Sequence, residues 1–384
     1  MMPIENIQNF VLVLLYGSLV LQSFILVVNP MNVNKKANFA FGIFLFLWSS
    51  YWLQNILQIC GLFPNAQFIF LIRAFEIFTP LFLFFSVVFF ITPNYRFKKN
   101  DLFCLITPVV YLFFLLNSGG NKLINIITML IAVVHNLPYI AIIYFKIRKH
   151  QKRIETISSD TESINLQWLI KLSLLLFITI VITVCYELFN AFIYKMHQNL
   201  AMDLLFLFIV YSTFYHILRQ KEIYPVSKMQ LEELLSIELE SEEKTEKKKL
   251  IPDQDFEALK QKLLSLMETQ KPYLDGELNL LKLSELININ AHQLSYLLNN
   301  GFNENFFQFV NKYRVEYAKK LLSGDPSKKF SILGIAFESG FNSKTSFNTI
   351  FKKTMGITPS EFRKSQEENN FSVEKEAGEI KRLS

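Results

Sequence analysis

Cysteine is nearly absent: Cys60, Cys104 and Cys185 are the only three in 384 residues, and they form neither a pairing framework nor a metal-ligand spacing. A disulfide scaffold and a structural zinc site are thereby excluded, and the three thiols, in or at the ends of apolar runs, are expected as small core residues. The five histidines, His135, His150, His197, His216 and His292, are scattered, and no Ser/His/Asp set, HExxH, P-loop or GxGxxG pattern occurs. No enzyme signature, cofactor site or metal site is expected. Charge is sparse before Arg219, which excludes an ordinary water-facing surface over that stretch.

What fills it is apolar. Half of the chain is hydrophobic (51%) and 39 residues are Phe, bunched into runs at Ile7–Val28, Ala37–Cys60, Phe68–Ile91, Leu102–Leu116, Leu123–Phe145, Leu172–Tyr194 and Leu200–Leu218. Each is near the ~20 apolar residues that a bilayer core requires, the fourth being shortest and holding Pro108. The first run has Glu5 and no basic residue in its flank and no cleavage site after it, so it reads as a span and not a signal peptide. Alternate loops carry Lys35, Lys36, Arg96, Lys98, Lys99, Lys146, Arg148, Lys149, Lys152 and Arg153, ten basic residues, whereas the opposite set has only Lys122 and Lys195. Basic loops stay cytoplasmic, so the N-terminus is expected outside and the tail inside. The expected location is a bacterial inner membrane, with the tail on its cytoplasmic side.

Polar groups inside spans are costly and need a reason. Gln54, Asn55 and Gln58 fall in the outward half of the second span, Arg73 and Glu76 one turn apart in the third, and Glu187 and Asp203 near the outward ends of the last two. Two readings stay open: interhelical hydrogen bonding with an Arg73/Glu76 pair, or an outward-open pocket for an unknown small polar ligand. His135, Asn136 and Pro138 in the fifth span read as a kink or a satisfied core group.

The expected fold is all-α, with a seven-helix transmembrane bundle over residues 1–218 and a charged helical linker over 219–252. A further helical domain follows over 253–365, then a disordered tail over 366–384. In the linker, Leu231, Leu234, Leu235 and Leu239 make a short apolar stripe that serves a solvated spacer or a weak homodimer seam.

Beyond the linker, Asp253 or Asp255 is expected to cap a helix that runs to about Gln270 and is broken by Lys271-Pro272-Tyr273. A short helix from Leu280 to Asn288 leads to Asn290, whose partner Gln293 stands three residues on, as a capping box over Ala291 to Asn300. A long helix from Phe306 to Leu322 follows, with Phe306, Val310, Tyr313, Tyr317 and Leu321 on one face, stopped by Ser323-Gly324-Asp325-Pro326. A second unit starts at Ser331, turns at Ser339-Gly340-Phe341 and continues from a Ser343 cap into Lys344 to Lys353. The two units, about 280–302 and 331–354, superpose: Asn288 and Gly340 share the slot that demands positive φ. Two short helices around a tight turn are a helix-turn-helix, whose second helix enters the major groove.

Over roughly Gln254 to Lys364 these residues resemble the AraC/XylS-type transcription regulators. The second unit carries the resemblance, through Ile335-Ala336, Gly340-Phe341, Ser343, Phe347, Phe351-Lys352-Lys353, Gly356, Thr358-Pro359 and Phe362-Arg363. Asn305, Phe306, Phe309, Asn311, Tyr313 and Arg314 resemble the family's connecting helix, and Ser284 stands where Ala is usual. The resemblance implies two readers in successive major grooves of double-stranded DNA. Base contacts would fall on His292, Ser295 and Tyr296, and on Lys344, Thr345, Ser346 and Thr349. Family members often have Arg where Tyr296 and Thr349 stand, so readout weighted to A·T pairs and thymine methyls is expected here. Phosphate contacts are expected from Lys312, Lys319, Lys320, Lys328, Lys329, Lys352, Lys353, Arg363 and Lys364. From Lys282 to Lys364 there are twelve basic against six acidic residues.

The expected function is a membrane-bound transcription regulator that couples an extracytoplasmic or membrane signal to promoter control, with RNA polymerase as a further partner. A constitutive tether released by proteolysis and a transporter-like bundle with a regulatory tail are the alternatives; the latter predicts inverted repeats, and no internal repeat is seen among the spans.

Overall fold

The apolar runs fold as helices because only a helix or a closed barrel satisfies its own backbone polar groups away from water. The computed structural model describes residues 4–117, 122–162, 164–192, 200–220, 250–323 and 330–368. Among these, every regular element is helical, and the lone exception to helix is an isolated antiparallel bridge between Ser158 and Asn279. The Leu231–Leu239 stripe, the Gly324-Asp325-Pro326 stop, Lys195, Lys328, Lys329 and the tail beyond Glu368 lie outside the described residues. The chain divides into two units: Met1–His150 with Leu166–Ile223, and Gln151–Asn165 with Tyr224–Ser384.

The first unit holds α1 (Ile4–Val28), α2 (Lys35–Ile59), α3 (Ala66–Glu76), α4 (Thr79–Ile91), a 3₁₀ turn (Lys99–Leu105), α5 (Ile106–Leu116), most of α6 (Lys122–Ile157), α7 (Gln167–Phe192) and α8 (Leu200–Arg219). They make seven stretches long and apolar enough to cross a membrane, matching the seven runs. α2 packs against α1 and α4, and α1 against α8, around Leu15, Leu19, Phe41, Val87 and Val210. The α1–α2 contact depends on Gly42, where a Cβ would lie 2.8 Å from Val27 Cγ2, and where Ser23 donates to the Gly42 carbonyl at 2.8 Å. Large apolar side chains such as Phe10, Phe24, Phe46, Phe113, Phe145 and Phe208 point outward, as a lipid-facing surface would.

The third run is broken. Pro80 has no N–H to return to the Glu76 carbonyl, and the chain turns at Ile77–Phe78 between α3 and α4. His135 on α6 braces this turn at the next carbonyl, with Nε2 2.8 Å from the Ile77 carbonyl and Nδ1 2.7 Å from Thr107 Oγ1. A carbonyl only accepts, so Nε2 carries the proton and Nδ1 accepts from Thr107. His135 is therefore a satisfied core group, while α6 runs through Pro138 unbroken. The cysteines depart from expectation: Cys60 and Cys185 are exposed and Cys104 only half-buried, all as free thiols. Their apolar surroundings in sequence belong to the outward face of the bundle and not to its interior.

The second unit holds α9 (Asp253–Thr269), a 3₁₀ turn (Pro272–Leu274), α10 (Leu280–Ile287), α11 (Ala291–Gly301), α12 (Phe306–Ser323), α13 (Ile332–Glu338), α14 (Lys344–Met355) and a closing helical run over 359–368. Neither Asp253 nor Asp255 caps α9. Pro252 takes the cap position, and both carboxylates lie in the first turn, where they act on the helix dipole. The expected face of α12 also shifts: Tyr313 and Tyr317 are half-buried, whereas Asn311 and Arg314 are fully inside with Phe309 and Val315. Phe341, Phe347 and Phe351 fill the core of the second reader, packed on Val315 and Ala318 of α12.

Candidate nucleic-acid interface

Each reader is built from its caps inward. In the first, Asn279 accepts from the Lys282 N–H at 2.9 Å to open α10, and Asn288 ends it with φ 61°. Asn290 accepts from the Gln293 N–H at 2.8 Å and Gln293 returns the bond to the Asn290 N–H at 3.1 Å, so the expected capping box starts α11. Helical spacing then buries Ala291, Leu294, Leu297 and Leu298, which leaves His292, Ser295 and Tyr296 half-exposed on the other face. The Tyr296 ring stands edge-on to Phe256 with centroids 6.2 Å apart, so its position is braced from α9.

In the second reader, Ser331 accepts from the Gly334 N–H at 3.0 Å and Gly340 makes the turn at φ 83°. Ser343 accepts from the Ser346 N–H at 3.0 Å to start α14. Phe347, Ile350 and Phe351 point inward; Lys344, Thr345 and Thr349 are exposed and Ser346 half-exposed. Both α11 and α14 thus present their expected reading residues on an outward face.

The basic residues divide by partner. Lys312 pairs with Glu304 at 3.0 Å and Lys319 with Glu316 at 2.9 Å, while Lys320, Lys352 and Lys353 are exposed. Arg363 donates to the Phe330 carbonyl at 2.9 Å and Lys364 lies 3.9 Å from Glu368. The closing run is capped by Thr358, whose N–H and hydroxyl donate to Glu361 at 2.7 and 2.8 Å and hold that carboxyl below its usual range.

Sequence reasoning missed the polar centre of this unit. Arg314, 1% exposed, donates Nε to the Tyr273 carbonyl at 2.7 Å and Nη2 to the Asp275 carbonyl at 2.8 Å. It faces the Phe341 ring at 5.8 Å. Burial pulls the guanidinium down to about 10, with Asp160 and Asp275 pulling the other way, so it stays charged at neutral pH. Burial would raise the Asp275 carboxyl, but the Glu277 N–H, Lys282 and Arg314 outweigh it and hold it below the usual range. Nη2 of Arg314 also donates to Ser159 Oγ at 3.0 Å, and Asn311 donates to the Ser159 carbonyl at 3.3 Å. The arginine in the middle of α12 was the available signal, since a charge in a buried helix face implies several fixed acceptors.

In the first unit the polar candidates do not converge. A cavity of about 270 Å³ is lined by Trp48, Trp52, Glu76, Tyr111, His135 and Thr183 among others. Of the six candidates whose side chains are described, only Glu76 reaches it, with Ser50 in hydrogen-bonding reach and the charge of Arg73 nearby. Gln54 and Asn55 are half-buried and Gln58 and Arg73 exposed; Asp203 is buried and accepts from Gln8 at 3.4 Å. The Glu187 side chain lies outside the described residues.

A helix-turn-helix domain family matches residues 283–365. The chain is 39% identical over 57 residues to the TCP pilus virulence regulatory protein of Vibrio cholerae, covering 15% of this chain and 20% of that one. It is 35% identical over 83 residues to the uncharacterized transcriptional regulatory protein YesN of Bacillus subtilis, covering 21% and 22%. The match thus spans about a fifth of the length of these relatives. No solved structure matches the chain. With both readers capped, turned and packed as described, the segment 283–365 is a helix-turn-helix domain of the AraC type, carried behind seven helices apolar enough to cross a membrane.

Proposed function

We propose that this chain is a membrane-held, sequence-specific DNA-binding transcription regulator, with its reading domain in the cytoplasm. The observation that carries the reading is the pair of capped helices, α11 and α14, each with an outward row of polar side chains, joined by α12 in one chain. His292, Ser295 and Tyr296 would meet one major groove and Lys344, Thr345, Ser346 and Thr349 the next. Lys320, Lys352 and Lys353 are the readiest phosphate contacts because they are exposed and, among the described residues, closed into no short ion pair, although Lys352 feels the charge of Glu361, whereas Lys312, Lys319 and Arg363 first give up an internal partner. The named relatives, both regulators, support the same reading.

The full chain in lipid nanodiscs should retain a defined set of chromosomal fragments. Lys344→Ala with Thr349→Ala should cut the preference for those fragments by roughly tenfold or more, at ~1–3 kcal/mol per base contact. Lys352→Ala should weaken all fragments alike and flatten the salt dependence. Retention of no fragment, or an unchanged preference in the double variant, would overturn the reading.

Signal input is the finer part of the proposal. The cavity beside Trp48, Trp52 and Glu76 suits a small apolar molecule with one hydrogen-bonding head group, and supports a sensing bundle over a plain tether. A homodimer seam in the linker and a contact with RNA polymerase complete the proposal.

A further inference from the structure

We propose that the acidic segment Ser158–Glu162, between α6 and α7, is an intrachain ligand of the DNA-reading unit and competes with DNA for it. The inference rests on the DNA-reading function and adds its control. The docking is specific. Ser158 bridges to Asn279, and Ser159, 1% exposed, donates to the Leu278 carbonyl at 2.7 Å while its own carbonyl and hydroxyl accept from Asn311 and Arg314. Ser158 Oγ donates to the Asp160 carbonyl at 2.9 Å, and Asp160 Oδ1 accepts from the Glu162 N–H at 3.2 Å, so the segment holds its own turn.

That turn aims two carboxylates at the start of the second reading helix. Asn342 donates to Asp160 Oδ2 at 2.8 Å, and the Ser343 hydroxyl donates to Glu162. Ser343 is the cap of α14, and the next residue, Lys344, is the first of its base readers. A helix N-terminus attracts anions, and here it holds carboxylates where the approaching duplex would bring phosphates. Two anionic groups cannot share that position at low cost. The cluster of buried apolar residues under α14 contains no residue of 151–165, and Arg314 has the Tyr273 and Asp275 carbonyls besides Ser159. Ser158 directly follows α6, which runs from Lys122 to Ile157 without a break, so a shift of that helix would reach the docked turn through the chain itself. Because binding is reciprocal, DNA must in turn favour release of the segment.

The test uses the full chain in nanodiscs and a fluorescein-labelled duplex of mixed sequence at low salt. Asp160→Asn with Glu162→Gln should bind roughly tenfold tighter than the parent, from the loss of two opposing charges. Saturating DNA should speed hydrogen exchange at the amides of 158–162 in the parent protein, a measurement that needs no variant. Equal affinities, or exchange at 158–162 that DNA leaves unchanged or slows, would overturn the competition while leaving the DNA-reading function standing. Binding of no duplex by either protein would overturn that function and this inference with it.

Discussion

Gly340 is constrained twice. Its φ of 83° is one that side chains disfavour, and a Cβ there would lie 2.3 Å from the Tyr273 carbonyl oxygen and 3.0 Å from Arg314 Nε. Backbone cannot yield as a flexible side chain would, so Gly340→Ala should cost about 3 kcal/mol, combining strain and overpacking. Asn288 fills the equivalent slot at φ 61°, and Asn288→Gly should change stability by no more than about 0.5 kcal/mol. Proteolysis of the detergent-solubilised chain across a urea series, scored on cleavage within 330–368, would test the pair. A tolerant Gly340→Ala would mean that the turn is not set by this contact. Both positions were legible in the sequence because positive φ is a local demand that Gly and Asn advertise. Arg314 was not, since its partners lie 41, 39 and 155 residues away and nothing local announces them.

Elements were legible to the extent that their signals are local. The seven apolar runs, the Asn290–Gln293 box and the Ser343 cap all appear where the pattern placed them, whereas the break in the third run depends on a remote rescue. Pro80 alone could have bent a continuous helix; His135, 58 residues from Ile77, is what braces the open turn. His135→Leu should therefore strand the Ile77 carbonyl, while the Thr107 hydroxyl keeps Tyr139 in reach, and cost about 1–2 kcal/mol, near the upper range for polar contacts inside bundles. Asn136→Ala is the control, because among the described residues Asn136 bonds only back to Ala132 within α6, and its loss should be near neutral. Thermal unfolding of the solubilised chain separates them; equal midpoints would mean that the break does not depend on the histidine. The same division explains the acidic turn at 158–162, whose residues read as an ordinary loop until their acceptors and donors on α12 and before α14 are seen.

At the scale of the whole molecule, the question is which side of a membrane each end occupies. Basic residues concentrated in alternate loops predict an external N-terminus and an internal tail. The hydrogen bonds of Ser159 and Asp160 add an independent constraint: the α6–α7 connection and the reading domain share a compartment, which requires an even number of crossings between them. α7 and α8, both long and apolar enough to cross, would supply two. The contacts thus fit an α7–α8 pair of crossings whichever way the bundle faces, and the charge bias alone supplies the direction. That orientation puts the end of α2 outside, and Cys60, exposed and free at that end, is a native reporter of it. A membrane-impermeant maleimide applied to spheroplasts should label the parent chain at Cys60 and lose that label in Cys60→Ser. A cysteine introduced at Asn94, in the connection after α4, should react only after lysis. Labelling of Asn94→Cys in intact spheroplasts would invert the bundle, place the reading domain away from DNA and remove the proposed function along with it.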